Sequence, residues 1–200
     1  MFNKSDLSYI SGLIPGTDPQ KRKEADKIQA ASSHEYYEPS EDELKTAAQL
    51  AQEGYLSSLK YMRIKNRNIS EISRDNMAKL SSIVKVMQID NITPVSHLGV
   101  ILASVQSYLL ILSNMSLSEE NTRALVTAMR TRVGKVRLRD VTLDPELLSA
   151  YDGQGRCNRL NLSWLYMAND EYAARLKRWA ADRGWIVTLD NNSFLEMVRR

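Results

Sequence analysis

Apolar residues recur along the chain in short alternating clusters at nearly constant spacing. Leu59, Met62 and Ile64 form the first; Val84, Met87, Ile89 and Ile92 the second; Leu110, Leu112, Met115 and Leu117 the third. Val133, Val136, Leu138, Val141 and Leu143 follow, then Cys157, Leu160, Leu162, Leu165 and Met167. Their middle positions are 62, 87, 110, 136 and 160, and Val187 begins a candidate sixth copy. Within each cluster the period is two, which predicts a short strand with one face buried. In the fourth, Val136, Leu138 and Asp140 alternate with Lys135, Arg137 and Arg139. The Asn-x-Ser/Thr triplets at Asn68, Asn91, Asn114 and Asn161 step in a similar register and are read as coincidental for glycosylation.

Between the clusters the pattern changes to a helical period. Arg74–Ile83 places Met77 and Leu80 inward, and Ser96–Val105 carries a second apolar face. Ser118 is an N-cap followed by Glu119 and Glu120, with Leu125, Val126 and Met129 on one side of the next helix. Asp144-Pro145 opens a short helix with Leu147 and Leu148. Asn169 caps another that presents Tyr172, Leu176 and Trp179 and stops at Gly184.

A strand and a helix repeating with a period between 20 and 50 residues is the signature of a stacked array. The pattern over residues 40–190 resembles leucine-rich repeats of the ribonuclease-inhibitor-like type. It is similar to the C-terminal repeat domains of NACHT-type innate immune receptors. The chain departs from that family where an asparagine commonly follows the strand: Ile92, Met115, Val141 and Leu165 stand there instead. The resemblance implies an α/β fold, a short leucine-rich-repeat solenoid (horseshoe) with a parallel concave sheet and convex helices. It also implies a protein partner on the concave face and, by analogy, a role in innate immune sensing or as an adaptor.

The ends differ from the middle. Ser40-Glu41-Asp42-Glu43 is a capping box opening a helix through Glu53, expected to cover the first strand's core edge. At the other end, Trp185–Leu189 and Phe194–Val198 flank an Asp-Asn-Asn turn and predict a closing hairpin. Residues 1–39 read as a linker or a loosely attached helix, partly disordered before Tyr36, and residues 40–200 as the repeat-like domain.

Composition narrows the function classes. With 43% apolar residues the chain has material for a core, and its longest apolar run is too mixed to span a bilayer. Lys and Arg number 27 against 24 acids, a bias too small to indicate polyanion binding without clustering. One cysteine allows no intrachain disulfide, and the first residues lack a signal-peptide core, so a cytoplasmic setting is expected. His97 reads as a surface or capping residue, Cys157 as a core residue, and Asp152-Gly-Gln-Gly155 as a turn. No catalytic set, cofactor or metal site is expected, and the chain is read as no enzyme. Tyr172, Trp179 and Trp185 are assigned to packing, while Trp164 is placed where it reaches the surface.

The side chains between the core positions define the expected binding face. Its central column is Arg63, Gln88, Ile111, Arg137 and Asn161, continued by Thr188; the column before it is Tyr61, Val86, Leu109, Lys135 and Arg159. Val86, Leu109 and Ile111 form an apolar patch beside the cations Lys135, Arg137, Arg139 and Arg159. That mixture fits a non-catalytic protein-binding surface. The alternative reading is a nucleic-acid-binding protein using the same basic patch.

Overall fold

A computed structural model describes residues 17–142, 151–163, 170–191 and 194–199. Two helices, α1 (Pro19–Ala31) and α2 (Glu41–Gln52), precede β1 (Leu59–Asn68). Then strands and helices alternate: α3 (Arg74–Ile83), β2 (Val84–Thr93), α4 (Ser96–Ser104), β3 (Leu109–Ser116), α5 (Glu119–Thr131) and β4 (Lys135–Thr142). β5 (Arg159–Ser163), α6 (Asp170–Asp182), β6 (Trp185–Asn191) and β7 (Phe194–Arg199) complete the described elements. The expected helix after Asp144, and the positions of Leu143, Trp164, Leu165, Met167 and Asn169, lie outside the described residues.

All seven strands form one open sheet in the order β1-β2-β3-β4-β5-β7-β6. The first five are parallel and sequential, and their register is the one the apolar clusters predict. Met62 lies beside Met87, Met87 beside Leu110, Leu110 beside Val136, and Val136 beside Leu160. These residues and Ile64, Ile89, Leu112, Leu138 and Leu162 join the inward faces of the helices in a single core. Such alternation leaves the intervening side chains on the opposite face of the sheet.

Local chemistry sets the helix starts. The Ser40 side chain and Glu43 form a reciprocal capping box, as the sequence predicts. Ser73 and Ser118 accept from the backbone N–H groups of Asn76 and Asn121 at 3.2 Å each. Each such cap stabilises its helix by about 1 kcal/mol.

One feature breaks the period-two pattern in a regular way. Asn66, Asn91, Asn114 and Asp140 adopt left-handed φ values of 49°, 49°, 53° and 50°. Each stands four residues beyond Met62, Met87, Leu110 and Val136. Asparagine and aspartate tolerate this conformation better than other non-glycine residues. The inserted residue shifts the apolar phase by one, so Ile92 and Val141 return to the core. Asp140 therefore does not share the side of Val136 and Leu138. The counterpart of Asn91 is Asn66, so the triplet at Asn68 is out of register with those at Asn91 and Asn114.

The last strands differ from the simple array. β6 and β7 form a hairpin at the far edge of the open sheet, with β7 inserted between β5 and β6 and antiparallel to both. Leu160 is followed by Met197 and Asn161 by Glu196. Val187 is therefore one strand further out, beside Met197, and is not a sixth parallel rung. Thr188 falls at a register irregularity and its hydroxyl donates to Glu196 at 2.8 Å. Behind the hairpin, Trp179, Trp185 and Tyr151 pack together, with ring centroids 6.1–6.2 Å apart.

Over residues 17–39, α1 starts at Asp18, whose carboxylate accepts from Gln20 and Lys21, and buries Ala25 and Ile28. Its hydrophobic signal is weak because only these two side chains reach the core, in a helix otherwise made of charged and polar residues, Pro19, Ala30 and Ala31. The segment after it lies along the outer edge of β1. Tyr61 N–H donates to the Ser32 carbonyl at 2.9 Å, and Arg63 N–H to the Tyr37 carbonyl at 2.8 Å. Two backbone donors on the β1 edge, at Tyr61 and Arg63, are thus met from within the chain.

Candidate binding face on the sheet

Parallel pairing builds the candidate face directly. Tyr61, Val86, Leu109, Lys135 and Arg159 occupy one row across β1–β5. Arg63, Gln88, Ile111, Arg137 and Asn161 occupy the next, and Lys65, Asp90, Ser113, Arg139 and Ser163 the third. All eleven residues selected from the sequence therefore lie on the same strands in the expected rows. Thr188 does not extend the central row, because Glu196 on β7 takes the position beside Asn161.

A depression of ≈ 230 Å³ gathers eight of them: Tyr61, Arg63, Val86, Gln88, Leu109, Ile111, Arg137 and Arg139. Lys135, Arg159 and Asn161 lie outside it. Of Val86, Leu109 and Ile111, Ile111 is the most enclosed, at 8% exposure. Glu35 and Tyr36 contribute its edge on the β1 side. Neither is among the residues selected from the sequence, because both lie in the segment that reads as a linker or loosely attached helix and carry no periodic signal.

Charges on the face fall into two regimes. On the β1 side, Arg63 Nη2 is 3.5 Å from Asp90 Oδ2, and its Nε is 3.8 Å from Glu38 Oε2. Glu38 also meets Arg67 at 3.5 Å. Asp90 is buried at 5% exposure and accepts at 2.9 Å from the Asn114 side-chain amide, so it is held by two partners. On the β4 side, Arg159 reaches Glu196 at 4.0 Å. Lys135 donates to the Tyr108 hydroxyl and sits 4.5 Å from that ring's centroid. Arg137 and Arg139 are different: no carboxylate among the described residues lies within ion-pair distance of either. Burial first, and the adjacent Arg139 second, hold the Arg137 guanidinium below its ordinary value; Glu196 opposes this and Arg159 adds to it. Arg137 is partly desolvated and Arg139 is exposed beside it, and two adjacent cations with no described carboxylate at ion-pair distance favour an incoming anion.

A larger depression, ≈ 430 Å³, opens at the carboxyl ends of β2–β4 between Asn91, Asn114 and Asp140 over Ile92, Leu98 and Met115. It contains none of the residues selected from the sequence. Three of its lining residues, Asn91, Asn114 and Asp140, are left-handed residues whose positions the strand bends already explain, so the smaller, charged depression is the better candidate.

Other sequence assignments resolve simply. Cys157 is fully buried, and burial pushes its thiol up to about 11, which suits packing and not nucleophilic attack. His97 is buried at 7% exposure, not at the surface, with Nε2 2.9 Å from the Ile72 carbonyl. Asp152–Gly155 is a turn in which Gln154 N–H donates to Asp152 at 3.0 Å. Gly155 is obligatory there, since a Cβ would approach the Arg130 carbonyl oxygen to 2.3 Å. Among the described residues, no helix is long and apolar enough to cross a membrane. Comparison with family models, curated proteins and solved structures finds no match to this chain.

Proposed function

We propose that this chain is a non-catalytic protein-recognition module. In this reading it is a short leucine-rich-repeat array that binds a partner on the sheet face opposite its helices. Support for the repeat reading comes from the sequential parallel order of β1–β5, the helices between them, and the recurring step from Met62 to Leu160. The resemblance to NACHT-receptor repeat domains gives innate immune sensing or an adaptor role as the biological setting.

The observation that carries the binding role is the juxtaposition of Val86, Leu109 and Ile111 with Arg137 and Arg139, which have no described carboxylate at ion-pair distance, in one depression. Apolar side chains beside arginine, on a rigid multi-strand platform, match the composition of protein interfaces. Nucleic acid fits the same surface less well. Asp90, Glu38 and Glu196 interrupt the cations and would repel a continuous phosphate backbone.

Photo-crosslinkers placed at Gln88 on the sheet face and at Arg123 on the exposed side of α5 test this reading. Partner adducts are expected from Gln88 and not from Arg123, and they should fall when Lys135, Arg137, Arg139 and Arg159 are all changed to alanine. Adducts appearing equally from both positions, or none from Gln88, would sink it.

A further inference from the structure

The same face carries enough chemistry to define its ligand more narrowly, on the premise that it is a protein-recognition surface. Its polarity runs across the strands. The β1 side already holds Glu35 and Glu38, and its Arg63 is engaged by Glu38 and Asp90. The β4 side presents Arg137 and Arg139 without carboxylate partners among the described residues, and between the two lies the apolar floor.

Distances across a sheet set the spacing a ligand needs. Adjacent strands lie about 4.8 Å apart, so the middle of the floor on β2 and β3 is about 7 Å from β4. Two residues of an extended peptide rise about 6.6 Å. Arg137 and Arg139 are two residues apart on one strand and point to the same side. Their guanidinium groups can therefore share one carboxylate through charge-assisted hydrogen bonds.

We propose that the face binds an extended acidic peptide segment in which an apolar side chain, seated over Val86, Leu109 and Ile111, lies two residues from a carboxylate that bridges Arg137 and Arg139. The chain uses related chemistry on itself. In Glu35–Glu38 an acidic and aromatic segment runs along β1, its backbone accepting from Arg63 N–H and its Glu38 carboxylate meeting the Arg63 and Arg67 guanidinium groups. A single well-placed carboxylate suits the pair better than a polyanion, because Asp90 and Glu196 bracket the two cations.

A display library of random short peptides, selected on the full chain, tests the inference. Enriched sequences are expected to carry an apolar residue, any residue and then Asp or Glu, in either direction. A synthetic peptide containing Leu-Ser-Glu should bind at least about tenfold more weakly when its Glu is replaced by Gln, and equally so on Arg137→Gln/Arg139→Gln protein. Arg139→Gln alone, at an exposed position, gives the same direction of effect if the double variant loses its fold. Enrichment without the spaced carboxylate, no enrichment at all, undiminished binding to the variants, or displacement by a generic oligonucleotide at physiological salt overturns it. Each of those results leaves the Gln88 crosslinking outcome untouched, so loss of the peptide motif and loss of the recognition face are separable.

Discussion

The side-chain amide of Asn91 donates to Asn66 Oδ1 at 3.1 Å, joining two residues that hold the same left-handed φ on neighbouring strands. Asn114 and Asp140 continue this column, and Asn114 donates to Asp90 of the binding face. The bend in each strand and the charge order on the face are thereby mechanically linked. If the bends slipped, Asp90 would lose one of the two contacts that hold it beside Arg63.

These positions should sort substitutions by backbone freedom, not by polarity. Asp140→Gly should stay within about 0.5 kcal/mol of the parent, whereas Asp140→Val should cost about 1–3 kcal/mol through left-handed strain. Urea unfolding distinguishes them. A valine variant as stable as the glycine variant would remove the strain argument.

The segment along β1 should behave as part of the fold. Ile28→Ala should destabilise by about 2 kcal/mol, the low end for a core isoleucine because α1 contributes only two buried side chains. A chain beginning at Ser40 should expose the β1 edge, lose amide-exchange protection at Tyr61 and Arg63, and self-associate with rising concentration. Unchanged protection at both amides would show that the Ser32 and Tyr37 carbonyls do not close that edge in solution.

Alkaline pH should unfold the protein earlier than a chain without buried acids. Burial pushes the Cys157 thiol from 9.0 up to about 11; the Tyr37 phenol is pushed to about 12, chiefly by burial and secondly by Glu43. Tyr151 is also raised, by burial and by the nearby Cys157. In each case the folded state holds its proton after the unfolded chain has released it, so stability is full below pH 9 and falls above it. Cys157 alone accounts for about 2–3 kcal/mol of that loss by pH 11. Unfolding midpoints measured at increasing pH should decline from pH 9, and less steeply in Cys157→Ala. The native thiol should resist alkylation at pH 8 until denaturant is added.

Much of the architecture was written locally. Strand positions, inward residues, helix caps and the rows of the face follow from apolar spacing and from Ser40, Ser73 and Ser118, because period and capping are properties of short stretches. Even the phase shift at Ile92 and Val141 is visible as a spacing, although its cause, the left-handed residue just before each, is not. The eleven face residues were legible for the same reason: once Met62, Met87, Leu110, Val136 and Leu160 align, the side chains between them must align too.

Contacts between distant segments were not legible. Nothing near Val187 announces that β7 will enter between β5 and β6, since both orders bury the same alternating residues. His97 is buried because the Ile72 carbonyl meets its ring, a pairing across 25 residues with no sequence pattern. The charge map shows the division most clearly. Composition supplied four cations on β4 and β5, but only the folded chain brought Glu196 to Arg159 and Tyr108 to Lys135, leaving Arg137 and Arg139 unpaired by any described carboxylate. Apolar spacing sets the repeating strand, its core face and the residues opposite it, because these depend on neighbours within a few positions. Tertiary structure decided which edge is covered, where the last hairpin inserts and which charges stay open, because those depend on distances between side chains far apart in the chain.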